Sequence, residues 1–336
     1  MTTSTTNINL YEILKRKLGE QETEAIISFT DSKLEYNNEN KIKMSYQQLK
    51  GTGVALVTPF QKDGSVDYKA LEKLVDHVIK GGVDFLVALG TTAESPTLNA
   101  SEKQRVFAAI VKYCNSRVPV VCGMGGNNTD EVVHQLKTFD LTGADAILSV
   151  APYYNRPSQE GLYQHFKAVA AATQLPVILY NVPGRTGSNI LPATVLRLSA
   201  DCSNITAIKE ASGNIVQCME LLQNKPDGFT VLSGDDNLVL AQIALGMEGI
   251  ISVAANCFTK DFTNLINMAL AGKYDKARKL LYKLLPGIDL LFVEGNPAGV
   301  KAALHQMGIC ENILRLPLVP VSDMTGKKIN EYLKNK

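Results

Sequence analysis

The sequence predicts an α/β fold: a (β/α)8, or TIM, barrel with a C-terminal helical appendage and an N-terminal helical extension. Three observations predict it. Eight short runs rich in Val, Ile and Leu recur from Gly51 onward. They are apolar at successive positions, the mark of strands buried on both faces of a parallel sheet. Amphipathic helical stretches lie between them, and parallel neighbours need such crossovers. An open doubly wound sheet is the alternative. It should carry a Gly-rich dinucleotide turn after its first strand, and "VTPFQKDGS" is not one.

The elements follow in order. Residues 1–49 are polar and irregular apart from "LYEILKRKLGEQETEAIISF", where Leu10, Ile13, Leu14 and Leu18, then Ala25, Ile26 and Phe29, recur at helical spacing. "NNENKIK" reads as a solvated linker. The extension reads as a helix or hairpin packed on the main body or on a neighbouring subunit; a separate partner-binding helix is the other reading. The eight runs are then "GVALV" (53–57), "DFLVAL" (84–89), "VPVVCG" (118–123), "DAILSV" (145–150), "PVILY" (176–180), "ITAIK" (205–209), "FTVLS" (229–233) and "GIISV" (249–253). "DYKALEKLVDHVIKGG" is amphipathic and stops on Gly-Gly. "SEKQRVFAAIVKYC" opens on Ser101, a good N-cap, and "LVLAQIALGMEG" precedes the eighth run. About three further helical stretches (roughly 261–271, 273–292 and 297–307) exceed what the barrel needs. The expected division is an extension over 1–49, a barrel over 50–258 and a helical region over 259–336.

Bulk properties narrow the class. A chain of 336 residues is long for one ordinary domain and normal for a barrel with additions. With 45% hydrophobic and 20% charged residues it reads as a soluble globular protein. A net charge of +1 gives no electrostatic reason to expect nucleic acid or a membrane surface as partner. The six cysteines form no CxxC pair and read as reduced thiols. The four histidines show no HxH or HExxH spacing, so no metal site is expected. No cofactor is expected. No stretch approaches the roughly 18–20 apolar residues of a membrane helix. The N-terminus lacks the apolar core of a secretory signal, which makes the cytoplasm the expected location.

In a barrel of this kind the chemistry sits at the C-terminal strand ends. The first four runs end in "TPF", "GTTAES", "GMGGNNT" and "APYYNRP"; the last four end in "YNVPGRTG", Lys209, "SGDD" and "SVAAN". The polar set that meets there is Thr91, Thr92, Tyr154, Tyr180, Arg185 and Lys209. It contains an amine, phenols and hydroxyls, but no metal ligands, phosphate loop or Ser-His-Asp set. That inventory suits Schiff-base chemistry on a carbonyl compound. A free lysine has a pKa of about 10.4, and burial can bring it toward about 7–8, where the attacking neutral amine is populated. Proton transfer is expected to run through Tyr180, Thr91 and Tyr154. Each assignment has a plainer rival. A lysine that ends a strand is more often merely solvated; the tyrosines could be rim aromatics; Arg185 could pair with a surface carboxylate; the threonines could cap a helix. Their shared placement on one barrel face favours the chemical reading.

Several motifs together, "GTTAES", "APYYNRPSQEGLYQHF", "LYNVPGRTG", "IKEASGN", "LSGDD" and "GIISVAAN", resemble the dihydrodipicolinate (4-hydroxy-tetrahydrodipicolinate) synthase family over roughly residues 50–333. The resemblance implies a lyase of lysine and diaminopimelate biosynthesis that condenses pyruvate with L-aspartate-4-semialdehyde. Lys209 would form the Schiff base with pyruvate and Tyr180 would pass protons. Thr91 and Tyr154 would complete the relay, with Tyr154 reaching a neighbouring subunit's site. Thr92 and Ile251 would hold pyruvate, and Arg185 the carboxylate of the second substrate. The assembly implied is a homotetramer, a dimer of dimers. A related Schiff-base aldolase acting on a sugar acid, similar to N-acetylneuraminate lyase, is the alternative, although Arg185 suits a small carboxylate-bearing aldehyde better. A non-enzymatic sensor or scaffold is a third reading.

Two departures stand out. Ala93 replaces the glycine usual in "GTTGES"; it would be strained if that position needs φ > 0, but it is expected to be tolerated. The lysine-inhibition positions of the family correspond to Ser95, Pro96, Ala100, Lys103, Asn127, Glu131 and Tyr153. Ala100 and Lys103 stand where inhibited enzymes often carry histidine. The fixed charge of Lys103 should repel cationic lysine, so weak or absent inhibition is expected.

Overall fold

Eight parallel strands close on themselves in sequence order, β1 to β8, with β8 pairing back onto β1. A computed structural model describes residues 49–335. The helix expected near the N-terminus lies outside the described residues. The strands are β1 (Gly51–Ala55), β2 (Phe85–Ala88), β3 (Val120–Gly123), β4 (Ala146–Val150), β5 (Val177–Asn181), β6 (Ile205–Glu210), β7 (Thr230–Ser233) and β8 (Gly249–Ser252). Seven lie inside or within a residue of the apolar runs. The first begins two residues earlier than its run and ends at Ala55. Leu56 and Val57 are apolar because the outer core buries them, not because they continue the strand.

Strand side chains alternate between two cores. Phe85, Val87, Val121, Ile178, Tyr180, Ala207, Leu232 and Ile251 fill the barrel interior. Leu86, Ile147, Leu179, Ile208 and Val231 pack outward beneath the helices. The interior is tight enough to require Gly53, where an added Cβ would lie 2.2 Å from the Phe85 ring.

The helices are α1 (Tyr68–Lys80), α2 (Ala100–Cys114), α3 (Thr129–Thr138), α4 (Gln159–Ala171), α5 (Pro183–Thr186), α6 (Pro192–Asp201), α7 (Ile215–Asn224), α8 (Val239–Ala244), α9 (Thr259–Leu270), α10 (Tyr274–Phe292), α11 (Ala298–Gln306) and α12 (Asp323–Asn335). Ser101 does not cap α2. Asn99 does, with a reciprocal capping box to Glu102, because the helix begins two residues earlier than the apolar pattern suggests. α12 was not visible in the pattern because it buries only Thr325 and Ile329, too few positions to show a period. It is fixed instead by Tyr332, whose ring meets Phe258 edge-on at 5.5 Å and whose hydroxyl donates to Lys283 O at 3.0 Å.

All six cysteines are free and buried, and burial raises the thiols of Cys122 (to about 12), Cys202, Cys218 and Cys310, away from a reactive thiolate. Among the described residues no helix is long and apolar enough to cross a membrane.

Candidate active site

Lys209 does not reach solvent. It is 5% exposed on β6, directly beside Tyr180 of β5 in the strand register. Both side chains point into the barrel, and the lysine Nζ sits 4.3 Å from the centroid of the tyrosine ring. They line a cavity of about 180 Å³ together with Thr91, Thr92, Arg185, Asp235 and Asn296. Gly234 makes room for the lysine arm: a Cβ there would lie 2.5 Å from Ala211 Cβ and 2.9 Å from Lys209 Cε.

Two carboxylates, half-buried Asp235 and buried Asp236, lie on the amine's side of the barrel wall, and a third, Glu210, lies on the other. Burial raises the Asp235 pKa, opposed by a bond from Gln242 and by the Lys209 charge. Burial also pushes Asp236 up to about 6, and its Oδ2 accepts from the backbone N–H groups of Val253 (3.1 Å) and Ala254 (2.9 Å), tying the end of β7 to the turn after β8. Glu210 is raised by burial as well. It faces the helix side, where it accepts from Ser212 N (2.7 Å), Asn181 Nδ2 (2.9 Å) and Gln217 Nε2 (3.2 Å).

The loop after β2 supplies the hydroxyls. Thr91–Ala93 form a 3-10 turn; Thr92 is buried, and its Oγ1 accepts from Asn296 Nδ2 at 2.9 Å. Ala93 is not strained. Its carbonyl accepts from Thr58 Oγ1 at 2.8 Å, and the left-handed backbone falls one residue later, at Glu94 (φ 54°). Replacing the usual glycine with alanine is therefore sterically neutral for the backbone here.

Arg185, on α5, is exposed at the rim and borders both this cavity and an adjoining one of about 420 Å³. The adjoining cavity is lined by Ser95, Pro96, Ala100, Lys103 and Tyr153, five of the seven positions singled out for lysine binding. Asn127 and Glu131 are not among its lining residues. Asn127 instead donates to Tyr153 O at 3.2 Å. Tyr154 is 89% exposed, with φ 72°, and does not line the cavity of its own chain. Ile251 is buried beside Gly53 inside the barrel without bordering the cavity.

Two cavity residues escaped sequence reasoning. Asp235 belongs to the strand-7 end "SGDD" but lies outside the polar set that the sequence predicts. Asn296 carries no local signal, because it lies 204 residues from Thr92.

A closed parallel barrel with a polar cavity at its C-terminal strand ends, and a buried lysine against one tyrosine ring with threonine hydroxyls beside it, defines a (β/α)8-barrel enzyme. Comparison with known proteins narrows this. The dihydrodipicolinate synthetase family model matches residues 48–336. A 4-hydroxy-tetrahydrodipicolinate synthase of Parabacteroides distasonis is 53% identical over 286 residues, 85% of this chain and 96% of the relative. The crystal structure of dihydrodipicolinate synthase from Aquifex aeolicus superposes with a TM-score of 0.83 at 42% identity, covering 85% of this chain and 98% of the other. A monomeric dihydrodipicolinate synthase variant gives a TM-score of 0.84 at 40% identity, over 86% and 97% of the two chains. This chain belongs to the dihydrodipicolinate synthetase family and is a lyase of that family.

Proposed function

We propose that this enzyme condenses pyruvate with L-aspartate-4-semialdehyde to give 4-hydroxy-tetrahydrodipicolinate, on the route to diaminopimelate and lysine, through a Schiff base on Lys209. The observation that carries the reading is the buried Lys209 amine against the Tyr180 ring in the cavity at the barrel mouth. The neutral amine attacks the keto carbon of pyruvate, and the carbinolamine loses water to give the imine. Loss of a methyl proton gives an enamine that attacks the aldehyde carbon of the second substrate. The amino group of that substrate then displaces Lys209 and closes the ring. Each step moves a proton, and Tyr180, whose ring lies against the lysine nitrogen, would be the phenol that passes it.

Thr92 and the neighbouring backbone would hold the pyruvate carboxylate, with Ile251 behind them. Arg185 at the rim offers a bidentate contact to the carboxylate of the aldehyde. Thr91, exposed to the cavity, would connect Tyr180 to the outside. Tyr154 projects from its own chain, so a relay through it needs a neighbouring subunit. A homotetramer built from dimers, working in the cytoplasm, is the arrangement we infer. A fully active monomer in solution would contradict that part.

The test is substrate consumption. The enzyme should consume pyruvate with aspartate semialdehyde and leave pyruvate with N-acetylmannosamine untouched. Lys209→Met should abolish turnover. Turnover of the sugar derivative alone would move the enzyme to the sugar-acid aldolases.

A further inference from the structure

The turn that carries Thr91 and Thr92 is held from far away in the sequence by an unusual anchor. Glu94, directly after it, is 2% exposed and sits in the left-handed region at φ 54°. Its Oε1 lies 2.5 Å from Lys301 Nζ, with both side chains fully buried, and its Oε2 accepts from Arg315 N at 3.0 Å. Lys301 comes from α11, donates to Ile313 O at 2.8 Å, and lies 4.0 Å from the centroid of the Phe60 ring, which Arg315 also covers at 4.5 Å. Asn296, just before α11, holds Thr92 as described above.

Stability alone does not account for this anchor. A buried ion pair loses so much hydration that well-packed apolar residues often serve as well or better. A left-handed glutamate adds backbone strain. Burial lowers the Lys301 pKa, against the pull of Glu94, so the ammonium is kept in a place unfavourable to it. Both costs fall on the residue that ends the hydroxyl-bearing turn.

We propose that the Glu94–Lys301 pair is a positioning device: it fixes the Thr91–Thr92 turn over the cavity from the C-terminal helical region. Neither residue borders the cavity, so both act through the threonines. The proposal rests on the roles given above to Thr91 and Thr92. It assigns the C-terminal helices a part in turnover beyond covering the barrel.

The experiment is a mutant cycle with the full chain. Glu94→Gln/Lys301→Met removes both charges together and leaves no unpaired ion. Thr91→Val removes the hydroxyl, and the triple variant combines the changes. If the pair positions the turn, the double variant keeps its melting temperature within a few degrees yet loses about 10- to 100-fold in kcat, the scale of a misplaced catalytic group. The triple variant should then be no slower than Thr91→Val by more than about threefold, because both changes disable one unit. Should the double variant not fold, Glu94→Asp, which keeps both charges and shortens the arm, takes its place with the same expectation. A folded double variant with wild-type kcat beside an impaired Thr91→Val overturns positioning and leaves the threonine role intact. Fully multiplicative losses in the triple variant also overturn it. Wild-type kcat in both Thr91→Val and Thr92→Val removes the threonine roles themselves, and the proposal with them.

Discussion

Lys209 and Glu210 are consecutive on β6 and both buried, yet they face opposite sides of the barrel wall. The lysine enters the cavity beside Tyr180, while the glutamate accepts from Ser212, Asn181 and Gln217 on the helix side. The period of two along a strand makes this pairing automatic: fixing Glu210 outside fixes Lys209 inside. Glu210→Gln tests it. All three bonds need an acceptor, so a side-chain amide must turn its NH2 toward a donor. Although burial of the charge favours the neutral form, we expect the variant to lose about 2 kcal/mol, the cost of facing donors at a buried site. Denaturant melts read this; an unchanged or raised stability would contradict it.

Tyr180→Phe separates binding the keto acid from moving its protons. The ring and its packing remain while the hydroxyl is lost. We expect kcat to fall by about 10²–10⁴, the range of general acid–base catalysis, with less change in the KM for pyruvate. A variant within threefold of wild-type kcat would remove Tyr180 from the relay.

Gly234→Ala should injure both fold and chemistry. Its new methyl would meet Ala211 Cβ and Lys209 Cε inside van der Waals range. We expect a loss of about 1–3 kcal/mol in stability together with reduced turnover. Gly326→Ala, in α12, meets nothing within 4 Å and should stabilise by up to about 1 kcal/mol. Equal effects of the two changes on thermal melts would contradict the packing account.

Asp236 gives a pH prediction with a definite sign. Its folded pKa, about 6, stands above its ordinary value of 3.8. Between those values the folded protein holds a proton that the unfolded chain has released. The contribution of Asp236 is therefore most favourable below pH 3.8, declines as pH rises toward 6, and is about 3 kcal/mol lower above it. The stability difference between wild type and Asp236→Asn should fall by that order across this window. A flat or rising difference would contradict it.

Lysine is expected to be a poor inhibitor. Lys103 and Ala100 border the 420 Å³ cavity where the family resemblance puts the effector, and a fixed ammonium there opposes a second one. Sub-millimolar inhibition in a steady-state assay would overturn this.

Much of this was legible in the sequence for physical reasons. Strands buried on both faces leave continuous apolar runs, so the eight strands could be placed to within a residue or two. Lys209 was legible because a charge ends such a run. Burial without pairing misled the reading of Leu56 and Val57, and a capping box shared with Glu102 put the start of α2 at Asn99 rather than Ser101. Ala93 is tolerated in place of the usual glycine, as expected, because the positive φ falls one residue later, on Glu94. Asn296 and Lys301 had no local signature at all. Their partners lie more than half the chain away, and only the closed barrel brings them under the β2 turn.

The most direct test of the whole account is to incubate the enzyme with pyruvate, reduce it with borohydride, and locate the product by mass spectrometry of the digest. The account predicts a single carboxyethyl-lysine, at Lys209, with loss of activity in proportion to labelling. An adduct at another lysine with Lys209 unmodified, or no adduct while turnover persists, would contradict it.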